Sequence, residues 1–335
     1  MNIAKEKKIL VVGGNGFLGN NLLRELLKDN QVVCTSVRNT NNKKPFEGLN
    51  CEIVQADLLD KDSLLKAMDG IDIVYNCATV YKIWAKDPQK EIIDVNVQGT
   101  KNVLEAAHEA KIKRLIYIGS SMTLARDKTP INELSGWNED SREHYTISKI
   151  QSEKLAWKLA KKYDLDMISI LPSGMIGSNS FDHIPPAMEF YYKVMNNKLP
   201  FDPCFYFNTV DVNDVVKYII IASKKAKSGQ RYILGSEKGI SSTEIFKLAH
   251  KLFPEVKIKP KRPKDFLMGV AFIMEVISKL THKQPLLQRS LVKQFSNPNY
   301  DLDISKAKNE LGYKPKSTKE VVKRLLFRIN DENNT

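Results

Sequence analysis

The sequence of 335 residues predicts an α/β fold, in which a doubly wound parallel sheet precedes a smaller, mostly helical C-terminal lobe. Short apolar segments alternate with helical patterns as far as residue 178, and this alternation is typical of a parallel sheet. Beyond that point, prolines break the chain into mainly helical segments. We therefore expect one domain over residues 1–178 and a lobe over residues 179–335, with some segments of the lobe returning to the sheet.

A glycine-rich turn separates the first predicted strand from the first predicted helix. Apolar residues 9–12 run into the spacing G-x-x-G-x-x-G at Gly13, Gly16 and Gly19. Gly13 allows the tight turn, Gly16 lets backbone N–H groups approach a phosphate, and Gly19 lets the helix lie close to the strand. The helix N-terminus offers unpaired donors to a pyrophosphate. This context favours a Rossmann-type dinucleotide-binding site over an ordinary strand–helix turn. Within the turn we also expect cofactor contacts from Asn15, Phe17 and Leu18.

A basic residue ends the second predicted strand, at residues 31–37. In this fold that position meets the adenosine ribose of the cofactor, where an acidic residue favours NAD and an arginine accommodates a 2′-phosphate. Arg38 occupies the position, and Lys44 follows closely. These residues favour NADP(H) as the cofactor, with NAD(H) as the alternative. A solvated basic loop is the competing structural explanation.

Three further strand ends are predicted to border the same cofactor, because the carboxyl ends of parallel strands form the ligand-binding edge of such a sheet. Asp57 and Leu58 follow the third strand. Asp57 either accepts a hydrogen bond from the adenine amino group or caps the next turn. The residues expected at the ends of the fourth and sixth strands are Cys77, Ala78, Thr79, Pro172, Gly174 and Met175.

A serine and a tyrosine–lysine pair form the predicted catalytic site. Ser121 follows the fifth strand, and Tyr145 and Lys149 are four residues apart on one helical face. A nearby ammonium, together with a positive nicotinamide, is expected to lower the phenol pKa from about 10 toward neutrality. The phenol then exchanges a proton with a carbonyl oxygen that the serine holds, while hydride moves to or from the cofactor. Such a pair is also common on helix surfaces, but the glycine motif and the serine favour catalysis.

Taken together, these landmarks resemble the extended short-chain dehydrogenase/reductase family, within the NAD-dependent epimerase/dehydratase superfamily. The sequence is most similar to the branch of dihydroflavonol-4-reductase-like and 3β-hydroxysteroid-dehydrogenase-like enzymes, and residues 81–88 are similar to hopanoid-associated sugar epimerases. The resemblance implies that Ser121, Tyr145 and Lys149 are the catalytic trio. It also implies that Asn96 supports the lysine through a water molecule. The resemblance is carried by Gly13, Gly16, Gly19, Asp57, Leu58, Asn96, Gly99, Thr100, Ser120, Ser121, Tyr145, Lys149, Pro172, Gly177, Val210 and Asp211.

The sequence departs from the sugar-nucleotide members of this family at three places. It has Leu-Pro-Ser-Gly at residues 171–174 where they carry Arg-Pro-x-Asn, Phe-Tyr at residues 205–206 where they carry Arg-Asp, and no acidic pair after Ser121. A diphosphate requires fixed cationic donors. Their absence predicts a fairly apolar or aromatic substrate, although each aromatic residue nearby could equally belong to the lobe core. These aromatic residues are Phe181, Tyr191, Tyr192, Phe201, Phe205, Tyr206 and Phe207.

The expected function is therefore NADP(H)-dependent interconversion of a carbonyl and an alcohol on a fairly apolar small molecule. One alternative is an NAD(P)-dependent epimerase of a sugar or sugar-linked lipid. Another is a non-enzymatic binding module that keeps the dinucleotide fold, which the intact Tyr145–Lys149 pair argues against.

The composition limits the partners and the compartment. The net charge of +13 is spread along the chain without a nucleic-acid motif, so we expect a lysine-rich surface and no nucleic-acid partner. The four cysteines lack a C-x-x-C pair, which favours buried reduced thiols over disulfides or a metal site. The polar N-terminus has no signal-peptide pattern, which favours a cytoplasmic location. A homodimer is compatible with the sequence.

Residues 257–280 admit two interpretations. A basic, proline-broken segment precedes an apolar segment that is too short to span a bilayer. The apolar segment is either a lobe helix that lines the substrate pocket or a helix in a membrane interface, with its basic flank on anionic lipid. Its length favours the lobe helix.

Overall fold

The first half of the chain alternates strands and helices, as the sequence predicts. The computed structural model describes residues 7–29, 32–178, 184–297 and 300–334. A π-helical turn, Gln89–Asp94, leads into the third helix. The elements are β1 (Lys8–Val12), α1 (Phe17–Lys28), β2 (Val32–Val37), β3 (Glu52–Gln55), α2 (Lys61–Ala67), β4 (Ile73–Asn76), α3 (Val95–Glu109), β5 (Arg114–Ile118), α4 (His144–Lys162) and β6 (Met167–Pro172).

The second half contains more helix and only short strands. A capping box begins one of these helices, since Ser241 and Glu244 exchange side-chain and backbone hydrogen bonds there. The elements are β7 (Gly174–Ile176), α5 (Glu189–Met195), β8 (Tyr206–Phe207), β9 (Thr209–Asp211), α6 (Val212–Lys225), β10 (Arg231–Leu234), β11 (Ile240–Ser241), α7 (Ser242–Leu252), α8 (Lys264–Thr281), α9 (Arg289–Phe295), α10 (Ser305–Leu311) and α11 (Thr318–Asn334).

The central sheet has seven parallel strands in the order β10-β6-β5-β4-β1-β2-β3. The predicted doubly wound α/β fold is therefore confirmed. The strand order reverses between β1 and β4, and ligands of such sheets bind in the crevice at this point. The loops that follow these two strands carry the glycine turn and residues 77–79, so the topology brings both predicted cofactor segments to one crevice.

Alternate residues of β1 enter two different cores, one on each face of the sheet. Ile9 and Val11 pack with residues of α1 and α6, whereas Leu10 and Val12 pack with residues of α2, α3 and α4. Because both faces are covered, the strand has no polar side to place in water. A third core joins α5, α7 and α11 within the C-terminal part of the chain.

The burial of the four cysteines differs in part from the expectation. The prediction of buried thiols is wrong for Cys204, which is exposed; it lies in a turn with φ of +53°. Cys34, Cys51 and Cys77 are partly buried free thiols. Within the described ranges, no helix combines the length and the apolar character that crossing a bilayer requires.

Candidate active site

The turn after β1 forms a cradle that side chains would fill. Gly13 has φ of +82°, and a Cβ atom there would lie 2.9 Å from the Cα atom of Ala78. A Cβ atom on Gly19 would lie 2.3 Å from the carbonyl oxygen of Gly13. Gly14 lies outside the G-x-x-G-x-x-G spacing and contacts Thr35. A Cβ atom added to Gly14 would lie 2.0 Å from Oγ1 of Thr35. Close backbone packing thus requires glycine at three positions of the turn.

The N-terminus of α1 has no side-chain cap among the described residues. Its N-cap residue is Gly16, which has no side chain to accept a hydrogen bond, and the first turn carries no acidic residue. The Gly16 N–H donates to the Gly13 carbonyl at 3.0 Å, so it is used within the turn. Asn15 is exposed at the tip, Phe17 is half-buried, and Leu18 is buried in the core. A helix N-terminus without a cap, facing a glycine cradle, fits the pyrophosphate of a dinucleotide.

Replacing Gly19 by alanine tests this cradle. The added methyl meets backbone atoms of Gly13 and Gly14, which cannot move aside as a side chain can. We expect Gly19→Ala to lower the free energy of unfolding by about 1–3 kcal/mol, as overpacking does, and to weaken NADPH affinity at least about tenfold. Urea denaturation and a fluorescence titration measure the two effects.

Gly269→Ala is the matched control, because an added Cβ atom there meets nothing within 4 Å. Position 269 lies inside α8, where alanine is favoured over glycine by about 1 kcal/mol. Equal NADPH affinity in Gly19→Ala and in the control would contradict the assignment of the turn.

Arg38 follows β2 at the carboxyl edge, and its exposed side chain has no hydrogen-bond or ion-pair partner among the described residues. Lys44 begins a short 3-10 helix nearby. Asp57 Oδ1 accepts the Leu59 N–H at 2.9 Å, so this carboxylate caps the turn. The carbonyl of Leu58 accepts from Asn102 at 2.7 Å, which anchors the same loop to α3.

The loop after β4 is connected to α4 through Asn96, which is buried. Its Oδ1 atom accepts from the Val80 N–H at 2.7 Å and from Thr79 Oγ1 at 3.2 Å. Its Nδ2 atom donates to the Val80 carbonyl at 3.0 Å and to Ser148 Oγ at 2.9 Å. These four bonds use the full capacity of the amide. The water bridge to Lys149 stays a prediction, and the geometry supports a positioning role for Asn96.

The other strand-end residues lie along the same edge. Cys77 donates its N–H to the Val12 carbonyl at 3.1 Å, and burial raises the pKa of its thiol to about 12. Ala78 lies against Gly13 across the crevice. Pro172 is buried at the end of β6, and Gly174 donates to the Asn208 carbonyl at 3.0 Å. Met175 is half-buried and packs against the core that α1 and α6 form with the sheet.

Tyr145 and Lys149 project from the first turns of α4. Glu143 caps this helix, since its carboxylate accepts the N–H groups of Tyr145 at 3.0 Å and Thr146 at 2.7 Å. Lys149 is buried, and its Nζ atom donates to the carbonyl of Ile118, the last residue of β5, at 2.6 Å. Lys149 thus holds the face of α4 that carries Tyr145 beside β5, the strand that leads to Ser121.

The electrostatics of the pair differ from the expectation. Burial raises the pKa of the Tyr145 phenol well above its ordinary value, and Tyr81 and Glu143 add to this effect. Burial lowers the pKa of Lys149 to about 8, against the opposing charge of Glu153. In the protein alone, desolvation therefore outweighs the predicted lowering of the phenol pKa by the ammonium. The phenol is protonated at neutral pH, which is the form that can donate a proton to a carbonyl oxygen.

Ser121 lies in a 3-10 turn, Ser121–Thr123, and is fully buried. Its Oγ atom forms a 2.9 Å hydrogen bond with the hydroxyl of Tyr300. The guanidinium of Arg126 lies 4.0 Å from the centre of the Tyr300 ring and donates to the Gln294 carbonyl at 3.1 Å. Tyr300 and Arg126 were missed by sequence reasoning, because the bond to Ser121 joins residues 179 positions apart and no local motif marks them.

One aromatic ring lies beside Tyr145, and a separate group of rings packs within the lobe. The Tyr81 ring lies 4.4 Å from the Tyr145 ring. In the lobe, Phe205 and Phe207 contact Phe295, with ring centres 5.8 and 5.3 Å apart. Phe205 and Phe207 thus pack in the lobe core, and so does Tyr191, which is buried and bonded to Thr209. The remaining predicted residues are Tyr192 (bonded to Glu332), Phe201 (beside Phe266), Tyr206 (bonded to Asp301) and Phe181 (outside the described residues).

A buried ion pair connects α4 to the central sheet. Glu153, on α4, is fully buried and accepts from Arg231 of β10 at 3.0 Å. It also accepts from Ser169 of β6 at 2.8 Å and from Thr123, two residues after Ser121, at 3.2 Å. One carboxylate therefore joins α4 to β6, to β10 and to the turn that contains Ser121.

Known proteins are similar to this chain in sequence and in fold. The model of the NAD dependent epimerase/dehydratase family matches residues 9–235. A bifunctional dihydroflavonol 4-reductase/flavanone 4-reductase of Pyrus communis is 27% identical over 278 residues, covering 77% of this chain and 80% of the relative. An anthocyanidin reductase ((2S)-flavan-3-ol-forming) of Vitis vinifera is 29% identical over 297 residues, covering 78% of this chain and 84% of the relative. The crystal structure of gox2253 has a TM-score of 0.84 at 26% identity, covering 99% of this chain and 100% of that one.

Proposed function

The chain belongs to the NAD-dependent epimerase/dehydratase family, and on that premise we propose how its residues act. The protein is an NAD(P)-dependent oxidoreductase of the extended short-chain class that interconverts a carbonyl and an alcohol on a small molecule. We propose Tyr145 as acid and base, Ser121 as the holder of the substrate oxygen, and Lys149 as their positioning partner. The observation that carries this proposal is the 2.6 Å bond from Lys149 to Ile118, which sets the Tyr145 face of α4 beside the strand end that leads to Ser121.

Ser121 and Tyr145 are proposed to share the substrate oxygen. In this proposal the Tyr300 hydroxyl is the donor in its 2.9 Å bond with Ser121, an arrangement in which the serine O–H is available for the carbonyl oxygen. During reduction the protonated phenol of Tyr145 donates to the same oxygen, and during oxidation it takes the proton back. The nicotinamide cofactor supplies or accepts the hydride. The tight packing around Asn96 and Lys149 keeps these groups in place.

We propose NADP(H) as the cofactor, with its pyrophosphate at the N-terminus of α1 and its 2′-phosphate beside Arg38 and Lys44. The guanidinium of Arg38, which is exposed at the end of β2 and has no partner among the described residues, supports the second contact. The proposed cofactor-binding residues are Gly13, Asn15, Gly16, Phe17, Leu18, Gly19, Arg38, Lys44, Asp57, Leu58, Cys77, Ala78, Thr79, Tyr145, Lys149, Pro172, Gly174 and Met175.

Reversing the charge of Arg38 tests the preference for NADP(H). We expect Arg38→Glu to weaken NADPH binding about 10- to 100-fold, because a charge-assisted hydrogen bond is replaced by repulsion. NADH has no 2′-phosphate, so its affinity should change much less. Lys161→Glu, an exposed change of the same charge near the end of α4, is the control. An unchanged ratio of the two affinities, measured by fluorescence titration, would refute the assignment.

We propose a fairly apolar substrate because the structure places no fixed cation at residues 205–206. Phe205 packs against Phe295, and the Tyr206 hydroxyl donates to Asp301 at 2.9 Å. Oxidation of NADPH with a panel of hydrophobic and polar ketones and aldehydes tests the proposal. Turnover confined to the hydrophobic members is the expected result. Cofactor that stays bound through gel filtration, with no net NADPH oxidation, would instead favour the epimerase of a sugar or sugar-linked lipid.

A further inference from the structure

Helix α8 has one packed face and one apolar face that is open to solvent. Leu267 and Ala271 are fully buried against Phe205 and Val292. The opposite face carries large apolar side chains that are 43% to 79% exposed, and no described segment covers it. These side chains are Phe266, Phe272, Ile273, Val276, Ile277 and Leu280. Apolar area of this extent and continuity on a helix marks an interaction surface.

Cations border this face at both ends. Residues 257–264 carry Lys257, Lys259, Lys261, Arg262 and Lys264, and residues 279–283 add Lys279 and Lys283. The whole segment 257–283 contains two acidic residues, Asp265 and Glu275. Glu275 is paired with Arg289 at 2.7 Å, so its charge is compensated.

We propose that the open face of α8 docks on an anionic lipid surface, with the helix axis in the plane of the membrane. An apolar helix face between lysine clusters is the pattern that binds the boundary of headgroups and acyl chains. The flanking lysines then lie at the level of anionic headgroups. Aromatic side chains border the cations, since Arg262 lies 5.5 Å from the Phe266 ring and Arg289 lies 5.1 Å from the Phe272 ring.

The charge pattern favours lipid over a second copy of the chain. In a two-fold dimer the same face meets itself, with the two helices antiparallel or nearly parallel. Either arrangement sets the lysine cluster at residues 257–264 against another lysine cluster. An anionic surface pairs with both clusters at once. This proposal is independent of the reaction at Tyr145, because it uses neither the cofactor nor the catalytic residues.

Co-sedimentation of the full chain with sucrose-loaded vesicles tests the proposal. We expect binding to phosphatidylcholine vesicles that contain about a third phosphatidylglycerol, and little binding to phosphatidylcholine alone. Salt at about 1 M should weaken the binding. The triple variant Phe272→Ser/Ile273→Ser/Ile277→Ser should bind at least about tenfold less. Lys259→Ala and Lys261→Ala should each cost about fivefold.

Leu134→Ser is the matched control, because Leu134 is 92% exposed but lies in the loop before α4. It should bind vesicles as the parent chain does, and unchanged thermal unfolding of every variant excludes misfolding. Equal binding to neutral and anionic vesicles, or equal binding by the triple variant, would overturn the proposal. The proposal would also be overturned if the parent chain did not bind anionic vesicles and light scattering showed a dimer that the triple variant abolishes.

Discussion

Tyr145→Phe should lower kcat/KM for carbonyl reduction by about 10²- to 10⁴-fold, because it removes the hydroxyl that we propose donates the proton to the substrate oxygen. The phenyl ring keeps the 4.4 Å contact with Tyr81, so the packing of the site is preserved. Affinity for NADPH should stay within a few-fold of the parent value. Steady-state kinetics and a fluorescence titration on the same preparations measure the two quantities.

Tyr81→Phe is the control for this change. It removes a hydroxyl from the ring that packs at a tilt against Tyr145, but Tyr81 comes from the loop after β4 and is proposed to act on neither the proton nor the hydride. We expect its kcat/KM to fall less than tenfold. If Tyr145→Phe retained activity comparable to Tyr81→Phe, Tyr145 would not be the acid, and the proposed mechanism would fail.

Glu153→Ala should lower the free energy of unfolding by about 3–5 kcal/mol, the usual result of breaking a buried ion pair by removing one partner. The carboxylate is inaccessible to solvent, and its removal leaves the guanidinium of Arg231 without the oxygens it binds at 3.0 and 3.3 Å. Ser169 and Thr123 lose an acceptor at the same time. Urea denaturation followed by circular dichroism measures the change.

The exposed pair of Glu139 with Lys154, also on α4, provides the control. Glu139→Ala should change the unfolding free energy by less than about 1 kcal/mol, because solvent screens the pair. The double variant Glu153→Met/Arg231→Met should regain much of the lost stability, since neither charge then remains buried alone. A loss in Glu153→Ala no larger than in Glu139→Ala would show that the buried network does not stabilise the fold.

The sequence was sufficient to predict the sheet and where the candidate site residues lie on its strands and helices, since both follow from local patterns. The βα alternation predicted parallel strands, and the four-residue spacing placed Tyr145 and Lys149 on one face of α4. The glycine spacing located the cradle, although Gly14 was overlooked because its constraint comes from Thr35 on a neighbouring strand.

The surroundings of these residues could not be predicted in the same way. The contacts of Ser121 with Tyr300 and of Glu153 with Arg231 join distant parts of the chain, so no spacing rule reports them. The phenol pKa depends on how deeply the ring is buried, which a sequence does not state. For the same reason, the aromatic residues of the lobe could not be divided between core and substrate site.

The four bonds of Asn96 have a consequence for the evolution and engineering of specificity. One amide joins the loop that presents Tyr81 to the helix that presents Tyr145. A change of loop length before Val80 would therefore shift the catalytic helix as well as the substrate boundary. Libraries intended to alter substrate range should diversify residues 81–88 and conserve Thr79, Val80 and Asn96, so that new selectivity does not come with a displaced acid.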